Sequence, residues 1–429
     1  MNNIDYSLYF ITDRDTLHED YDFFQSVEDA ILGGATLVQL REKNLDTKDF
    51  YKVALKVKEI CHKYNVPLII NDRLDIALAI DADGIHVGQD DMPITVIRDI
   101  IGDNKIIGVS ATTYEQALKA YNDGADYLGV GAMYSTNTKT DANMTSLDKL
   151  KKIRDNISIP IVVIGGINEN TIPNFKNLNI DGLAIISAIT SKKDIVKASE
   201  YIKSLYYDNF PIEGAIFDLD GTLLDSIPIW DSILVKYLNN YNVEPDEYYQ
   251  KEIWTLDIYD AIKLAKEYFN IDEDINLMMK KWDDMMKKEY NENVGLFKGS
   301  INILNYFKNK NIPMAIATAL PKDYFLDCLV NNGIKNYFDT IYSTYEFENG
   351  KERGDIFIQI SKDLNINPKA TIVFEDSTHS LYGIKEAQMQ SCLIDGSKYT
   401  INKDTNRLID LKINNLKEDK LYEYLNRKF

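Results

Sequence analysis

The sequence predicts an α/β protein made of two successive units. The first is a parallel (β/α)8 barrel, and the second is an α/β unit interrupted by a helical insertion. Three observations predict this. Short β-rich runs alternate with amphipathic helical stretches through roughly the first 200 residues. The apolar run Ala215–Phe217 then breaks abruptly into Asp218-Leu219-Asp220-Gly221-Thr222. From Ile227 to about Val294 strand alternation is lost and a helical period takes over, before α/β alternation resumes at Pro313. A length of 429 residues suggests two or three domains.

In order, the first-half strands are expected at Leu8–Thr12, Leu37–Leu40, Pro67–Asn71, Gly84–Val87, Lys105–Ser110, Tyr127–Gly131, Pro160–Ile164 and Gly182–Ile186. Helical stretches such as Thr47–Tyr64 and Tyr114–Asn122 lie between them. Eight strand-helix units in this length suit a compact barrel, with a doubly wound open sheet as the alternative. Gly-rich turns after the seventh and eighth strands favour the barrel. A last helix from about Lys192 to Tyr207 meets Asp208-Asn209-Phe210-Pro211, where the proline disfavours helix in the residue before it. The expected division is a barrel over 1–207, a linker over 208–212 and a second unit over 213–429, with its helical insertion at about 227–294.

Composition limits the function classes. Hydrophobic residues make up 45% and charged residues 27%, as in ordinary globular protein. A net charge of -19 without a contiguous basic stretch argues against a nucleic-acid partner. It leaves phosphorylated small molecules open, since these need only local cations or Mg²⁺ inside a cleft. The start shows no basic segment followed by an apolar run, so neither a signal peptide nor a membrane partner is expected. Three scattered cysteines, Cys61, Cys328 and Cys392, fit a reduced, cytoplasmic protein.

A barrel of this type builds its site from the C-terminal strand ends. Here those ends supply Gln39, Arg41 and Lys43, then Asn71 and Asp72, then His86 and Asp91, then Ser110, then Thr136, Thr138 and Lys139, then Gly165 and Gly166, and finally Ile186 and Ser187. Arg41, Lys43 and Lys139 are cations that contact phosphate oxygens. Asp72 and Asp91 are hard oxygen ligands suited to Mg²⁺. Gly165, Gly166 and Ser187 offer backbone N–H groups to a phosphate. Plainer readings stand beside these: Arg41 or Lys43 as a surface charge, Asp72 as a cap of the following helix, and His86 as a packed, hydrogen-bonding residue.

Taken together, Gln39-x-Arg41-x-Lys43, Asn71-Asp72, Gly88-Gln89-x-Asp91, Gly108-x-Ser110, Thr136-x-Thr138-Lys139 and Gly165-Gly166 resemble the motifs of the thiamine phosphate synthase family. The resemblance covers nearly the whole first half. It implies condensation of hydroxymethylpyrimidine pyrophosphate with thiazole phosphate, giving thiamine phosphate and pyrophosphate. It implies that Arg41, Lys43, Asn71 and Lys139 bind pyrophosphate and that Asp72 and Asp91 hold Mg²⁺. Ser110, and Gln39 from the same motifs, would lie in the substrate site, with Ser110 near the pyrimidine. Thr136, Thr138, Gly166, Ile186 and Ser187 would lie around the thiazole phosphate. One departure is Ala132-Met133-Tyr134, where the family often has Pro and Phe. A thiazole tautomerase-like or ligand-binding role is the alternative for this half, and the retained Lys43, Asn71, Asp72, Asp91 and Lys139 weigh against it.

In the second half, alternation along a strand points residues i and i+2 the same way, so Asp218 and Asp220 face one small site. Two converging carboxylates repel unless a cation sits between them or one holds a proton. The run Asp218-x-Asp220-Gly221-Thr222-Leu223-Leu224-Asp225-Ser226 resembles the first motif of the haloacid dehalogenase superfamily of phosphotransferases. That resemblance implies a Rossmann-like core with an inserted helical cap. It makes Asp218 the nucleophile and Asp220 the acid and base. Thr318, at the end of an expected strand over Pro313–Thr318, matches the second motif, and Lys351 the third, although the prolines usual around that lysine are absent. Glu375 and Asp376 match the fourth, which with Asp218 and Asp220 implies a second Mg²⁺ site. The cap region holds Trp230, Trp254 and Trp282, and its methionines Met278, Met279, Met285 and Met286 read as cap core.

Together the two halves suggest a bifunctional enzyme, a synthase joined to a Mg²⁺-dependent phosphatase. Thiamine phosphate, pyrophosphate, and an unrelated sugar or nucleotide phosphate (hydrolysed or isomerised) stay open as substrates of the second half. Oligomeric state and domain orientation also stay open.

Overall fold

In the computed structural model the described residues are 4–135, 144–246, 249, 256, 258–395 and 401–429. Thr136, Thr138, Lys139 and Trp254 lie outside them. The chain divides into two compact units: Met1–Pro211 with Ile401–Asp410 and Arg427–Phe429, and Ile212–Thr400 with Leu411–Asn426. The short C-terminal segments in the first unit depart from a single boundary near residue 212. Their reason is local contact. Arg407 donates a 2.7 Å hydrogen bond to the Tyr64 carbonyl, and the fully buried Lys428 lies 3.0 Å from the Asp208 carboxylate.

The first unit is a closed barrel of eight parallel strands: β1 (Leu8–Ile11), β2 (Leu37–Leu40), β3 (Leu68–Asn71), β4 (Gly84–Val87), β5 (Ile106–Ala111), β6 (Tyr127–Val130), β7 (Ile161–Ile164) and β8 (Gly182–Ile185). β8 closes the ring on β1, with Leu8 opposite Leu183. These strands are short, rich in Ile, Val and Leu, and almost wholly buried, because helices cover the outer face and side chains fill the inner one. The helices start where the sequence supplies caps. Asp22, Asp46, Ser146 and Asp194 each accept from backbone N–H groups of the first turn, and Thr113 forms a reciprocal capping box with Gln116. Each such cap is worth about 1 kcal/mol.

Inside the barrel, small residues on some strands make room for large ones on others. A Cβ on Gly108 would lie 2.1 Å from the ring of Tyr127, and one on Gly129 would lie 3.1 Å from the His86 ring. Tyr127 is fully buried, with Tyr6 and Tyr9 packed against it at centroid distances of 5.1 and 5.8 Å.

The second unit contains a six-stranded sheet of β9 (Gly214–Phe217), β10 (Met314–Thr318), β11 (Thr340–Ser343), β12 (Thr371–Glu375), β13 (Gln390–Ile394) and β14 (Leu411–Ile413). The order is β11-β10-β9-β12-β13-β14, and every pairing is parallel. The order reverses at β9, which places a crevice at its C-terminal end. Phe217 on β9 stacks on Phe374 of β12 at 4.7 Å, nearly parallel. Between β9 and β10 the insertion supplies helices Ile227–Asn239, Ile258–Tyr268 and Ile275–Asn293. Met278, Met286 and Trp282 are buried within its core, while Met279 and Met285 pack against that core partly covered. The expected cap is therefore present, and its methionines serve as packing.

Gly108→Ala tests the interior fit. Overpacking against Tyr127 should destabilise the first unit by about 1–3 kcal/mol. Calorimetric unfolding should show the midpoint of that unit lowered and that of the second unit unmoved.

Candidate active sites

In the first unit the strand ends bring together most of the expected residues that are described. Gln39 is buried in β2, Asn71 ends β3 and Ser110 lies in β5. Arg41 follows β2 with its backbone N–H bonded to Thr12 Oγ1 at 3.0 Å, and Lys43 lies exposed two residues on. Asp72 follows β3 in the left-handed region at φ 61°, its N–H held by the His86 carbonyl at 2.9 Å. The helix after it, Leu74–Ala79, has no side-chain cap, so Asp72 does not serve as one. Aspartate is one of the few non-glycine residues that enters this region routinely, because its short polar side chain can hydrogen-bond locally.

The Asp91 carboxylate accepts from the Gly88 N–H at 2.7 Å, which folds the loop after β4 and aims the side chain. Asp72 faces it. Burial and then the charge of Asp91 raise the pKa of Asp72, while Lys43 opposes the rise. Two carboxyls and a lysine in this arrangement fit a hard divalent cation.

Gly165 and Gly166 follow β7 at φ 92° and 66°, and a Cβ on either would lie within 2.7 Å of Ala132 or Tyr134. Both glycines are thus required by conformation and by the close passage of residues 132–134. Ile186 precedes the short helix Ser187–Thr190, and Ser187 is exposed at its start, where the first N–H groups lack intrahelical acceptors.

A buried polar chain joins several of these residues. Gln39 Nε2 donates to the Tyr9 hydroxyl at 2.7 Å, and the Tyr9 and Tyr127 hydroxyls are 2.7 Å apart. His86 bonds Tyr127 through Nδ1 at 2.8 Å and Ser110 through Nε2 at 2.9 Å. His86 is thus the hydrogen-bonding residue its position suggests. Tyr9 and Tyr127 were not legible as site supports, since strand alternation marks them only as core.

In the second unit β9 delivers Asp218, whose N–H continues the ladder to the Phe374 carbonyl at 2.9 Å. Phe217 pairs with Phe374, so Glu375 comes level with Asp218. Lys351 Nζ donates to Asp218 at 2.5 Å and to Glu375 at 2.8 Å, with all three side chains buried. Burial opposes the lysine's charge, and the two carboxylates outweigh it and hold its pKa above the usual value. The absent prolines therefore do not displace Lys351 from the site. Thr318 ends β10 fully buried, its Oγ1 accepting from the Leu320 N–H at 3.2 Å.

Asp218, Glu375 and Asp376 offer ligand oxygens within 4.8 Å of one another. Burial, and then the charge of Asp218, raise the pKa of both Glu375 and Asp376. Crowded, partly proton-holding carboxyls of this kind fit a divalent cation that would take the place of those protons. A Cβ on Gly221 would lie 2.3 Å from the Asp376 carboxylate, which accounts for the glycine in the motif.

Asp220 stands outside this trio. Its Oδ1 accepts from Ser226 Oγ at 2.5 Å and from the Tyr290 hydroxyl at 2.5 Å. Burial and Asp218 raise its pKa to about 6, against the pull of those two hydrogen bonds. That suits proton transfer better than metal ligation through the side chain. Ser226 lies in the quoted motif without an assigned role. Tyr290 carries no sequence signal, since it reads as cap core.

Comparison with known proteins gives separate matches for the two halves of the chain. Residues 8–189 match the family described as thiamine monophosphate synthase, and residues 215–394 match haloacid dehalogenase-like hydrolase. A thiamine-phosphate synthase of Clostridium botulinum is 58% identical over 202 residues, 47% of this chain and 94% of that protein. One from Clostridium tetani is 56% identical over 204 residues, covering 48% and 97%. Among solved structures, the thiamine phosphate pyrophosphorylase of Pyrococcus furiosus is 38% identical with a TM-score of 0.44, covering 48% of this chain and 98% of that one. A beta-phosphoglucomutase from Clostridium difficile is 22% identical with a TM-score of 0.39, covering 50% and 97%.

Carboxyl crowding makes the metal-free second unit pH-sensitive. Asp220 keeps its proton in the fold up to about pH 6, whereas in the unfolded chain it ionises near 3.8. The folded state binds more protons in that window, so this contribution is full below 3.8 and is lost as pH rises through 6. Glu375 and Asp376 act in the same direction. Thermal unfolding without metal should show the second unit's midpoint falling across this range. Mg²⁺ should raise the midpoint more at pH 8 than at pH 5, and Asp376→Asn should flatten both trends.

Proposed function

For a chain that belongs to the thiamine-phosphate synthase family through its barrel and carries a haloacid dehalogenase-like hydrolase unit behind it, we propose a bifunctional enzyme of thiamine phosphate synthesis and phosphomonoester hydrolysis. The observation that carries this reading is the pairing of two charge-complementary sites in one chain. Asp72, Asp91 and Lys43 converge in the barrel, and Asp218, Glu375, Asp376 and Lys351 converge in the second unit.

In the barrel, Arg41, Lys43, Asn71 and Lys139 bind and orient the pyrimidine pyrophosphate, and Ser110 and Gln39 hold the ring end. Thr136, Thr138, Gly166, Ile186 and Ser187 hold the thiazole phosphate. The C–O bond to pyrophosphate breaks and the thiazole nitrogen takes the carbon, so the protein's main task is electrostatic stabilisation of the departing anion.

In the second unit, the Asp218 carboxylate attacks phosphorus while Asp220 gives a proton to the leaving oxygen. Water then attacks the aspartyl-phosphate, Asp220 takes a proton from it, and phosphate and free Asp218 result. Lys351 balances the charge of nucleophile and phosphoryl group, and Thr318 holds a phosphoryl oxygen. Mg²⁺ bound by Asp72 and Asp91, or by Asp218, Glu375 and Asp376, supplies charge neutralisation for the phosphate groups in each site.

Thiamine phosphate is the substrate we place first for the second unit, because the barrel makes this phosphomonoester and tethering raises its local concentration to about millimolar. Phosphate release should be measured with Mg²⁺ and thiamine phosphate, and separately with pyrophosphate. Release from thiamine phosphate is expected, and release from pyrophosphate alone would reassign the second unit.

Two variants separate the activities. Asp218→Asn should abolish phosphate release and leave thiamine phosphate formation intact. Asp72→Asn should abolish Mg²⁺-dependent thiamine phosphate formation and leave phosphatase turnover intact. Near-normal synthesis in Asp72→Asn would rule out its metal role.

A further inference from the structure

The insertion's last helix, Ile275–Asn293, does more than pack. It brings the Tyr290 hydroxyl to Asp220, which lies 70 residues earlier in the chain. Tyr290 is fully buried and itself accepts a 2.9 Å hydrogen bond from Trp230 Nε1 on the first insertion helix. The placement of this helix does not depend on Asp220. The Tyr324 hydroxyl of the core donates to Asp283, Lys287 pairs with Asp323 at 3.2 Å, and Asn332 Nδ2 donates to the Val294 carbonyl at 3.1 Å. Core contacts therefore set the helix, and the helix presents the phenol.

Both Tyr290 and Ser226 donate to the same oxygen, Oδ1 of Asp220. A carboxyl oxygen receiving two donated hydrogen bonds is an acceptor and cannot also carry the acidic proton toward a third partner. Among the described residues, none bonds Oδ2. We propose that Tyr290 is a positioning residue, supported by Trp230, that locks Oδ1 of Asp220 as an acceptor and so leaves Oδ2 as the oxygen facing the leaving group. The insertion thereby takes part in the chemistry. Only with its last helix seated does the acid-base carboxyl present a single defined oxygen to the ester. This rests on the reading of Asp220 as acid and base.

The test uses the full chain with Mg²⁺ and two esters of similar size, p-nitrophenyl phosphate and phenyl phosphate. The first has a leaving group that departs with little help, and the second needs a proton. Tyr290→Phe, which keeps the ring and its packing, should lower kcat/KM for phenyl phosphate by about 10-fold or more while p-nitrophenyl phosphate falls by less than about 3-fold, since a well-placed general acid contributes 100-fold or more. Trp230→Phe should shift the same ratio by less.

A merely structural role would lower both esters equally, so an unchanged ratio in Tyr290→Phe overturns the proposal while the wild type remains a phosphatase. If Trp230→Phe is well folded and shifts the ratio more than Tyr290→Phe, the order of support is wrong and the proposal falls. Failure of the wild type to turn over either ester overturns the phosphatase reading itself, and this inference with it.

Discussion

Carboxylates held a few ångströms apart repel, and a fold that gathers them must also supply positive charge or keep protons on them. Both units of this chain are organised around that constraint. In the second unit Asp218, Glu375 and Asp376 converge at the C-terminal ends of β9 and β12, and one buried lysine spans two of them. In the barrel Asp72 and Asp91 converge beside Lys43 on a smaller scale. Each cation offsets only part of the repulsion, and the remainder favours a divalent ion or a bound proton. The parallel sheet makes such crowding possible, because every strand ends at the same face and delivers its next residue there.

Glycines serve the same sites by subtraction. Gly221 leaves room for the Asp376 carboxylate, and Gly165 and Gly166 let the chain after β6 pass close to the turn after β7. Gly108 leaves room for Tyr127, whose hydroxyl lies between Tyr9 and His86 in the polar chain that ends at Ser110. Polar groups buried this deeply are tolerated only when each finds a partner, and here the partners come from β1, β2, β4, β5 and β6.

Asp218 and Asp220 of the second unit are separated by environment, although they stand two residues apart on one strand end. Asp218 faces Lys351 and the other carboxylates, while Asp220 turns to two hydroxyls, one of them from the insertion. The insertion is thus joined to the site by a hydrogen bond as well as by packing.

Much of this was legible in the linear pattern. Strand positions in the barrel follow from short β-rich runs and the helices from the amphipathic stretches between them, both of which depend on neighbours within a few residues. The residue types of both sites were legible for a related reason, since parallel strands expose whatever follows them at one known end. That placed Asp72, Asp91, Asp218, Thr318 and Glu375 at strand or loop ends without knowledge of the packing, whereas Lys351 came from the motif resemblance alone. Only the tertiary structure decided that Asp72 leaves the next helix uncapped, that Asp220 sits apart from the three clustered carboxylates, and that Tyr290 reaches Asp220. It also decided that residues 401–410 pack with the first unit. Each of these depends on contacts between residues distant in sequence, and a buried tyrosine that donates a hydrogen bond has the same local pattern as one that only packs.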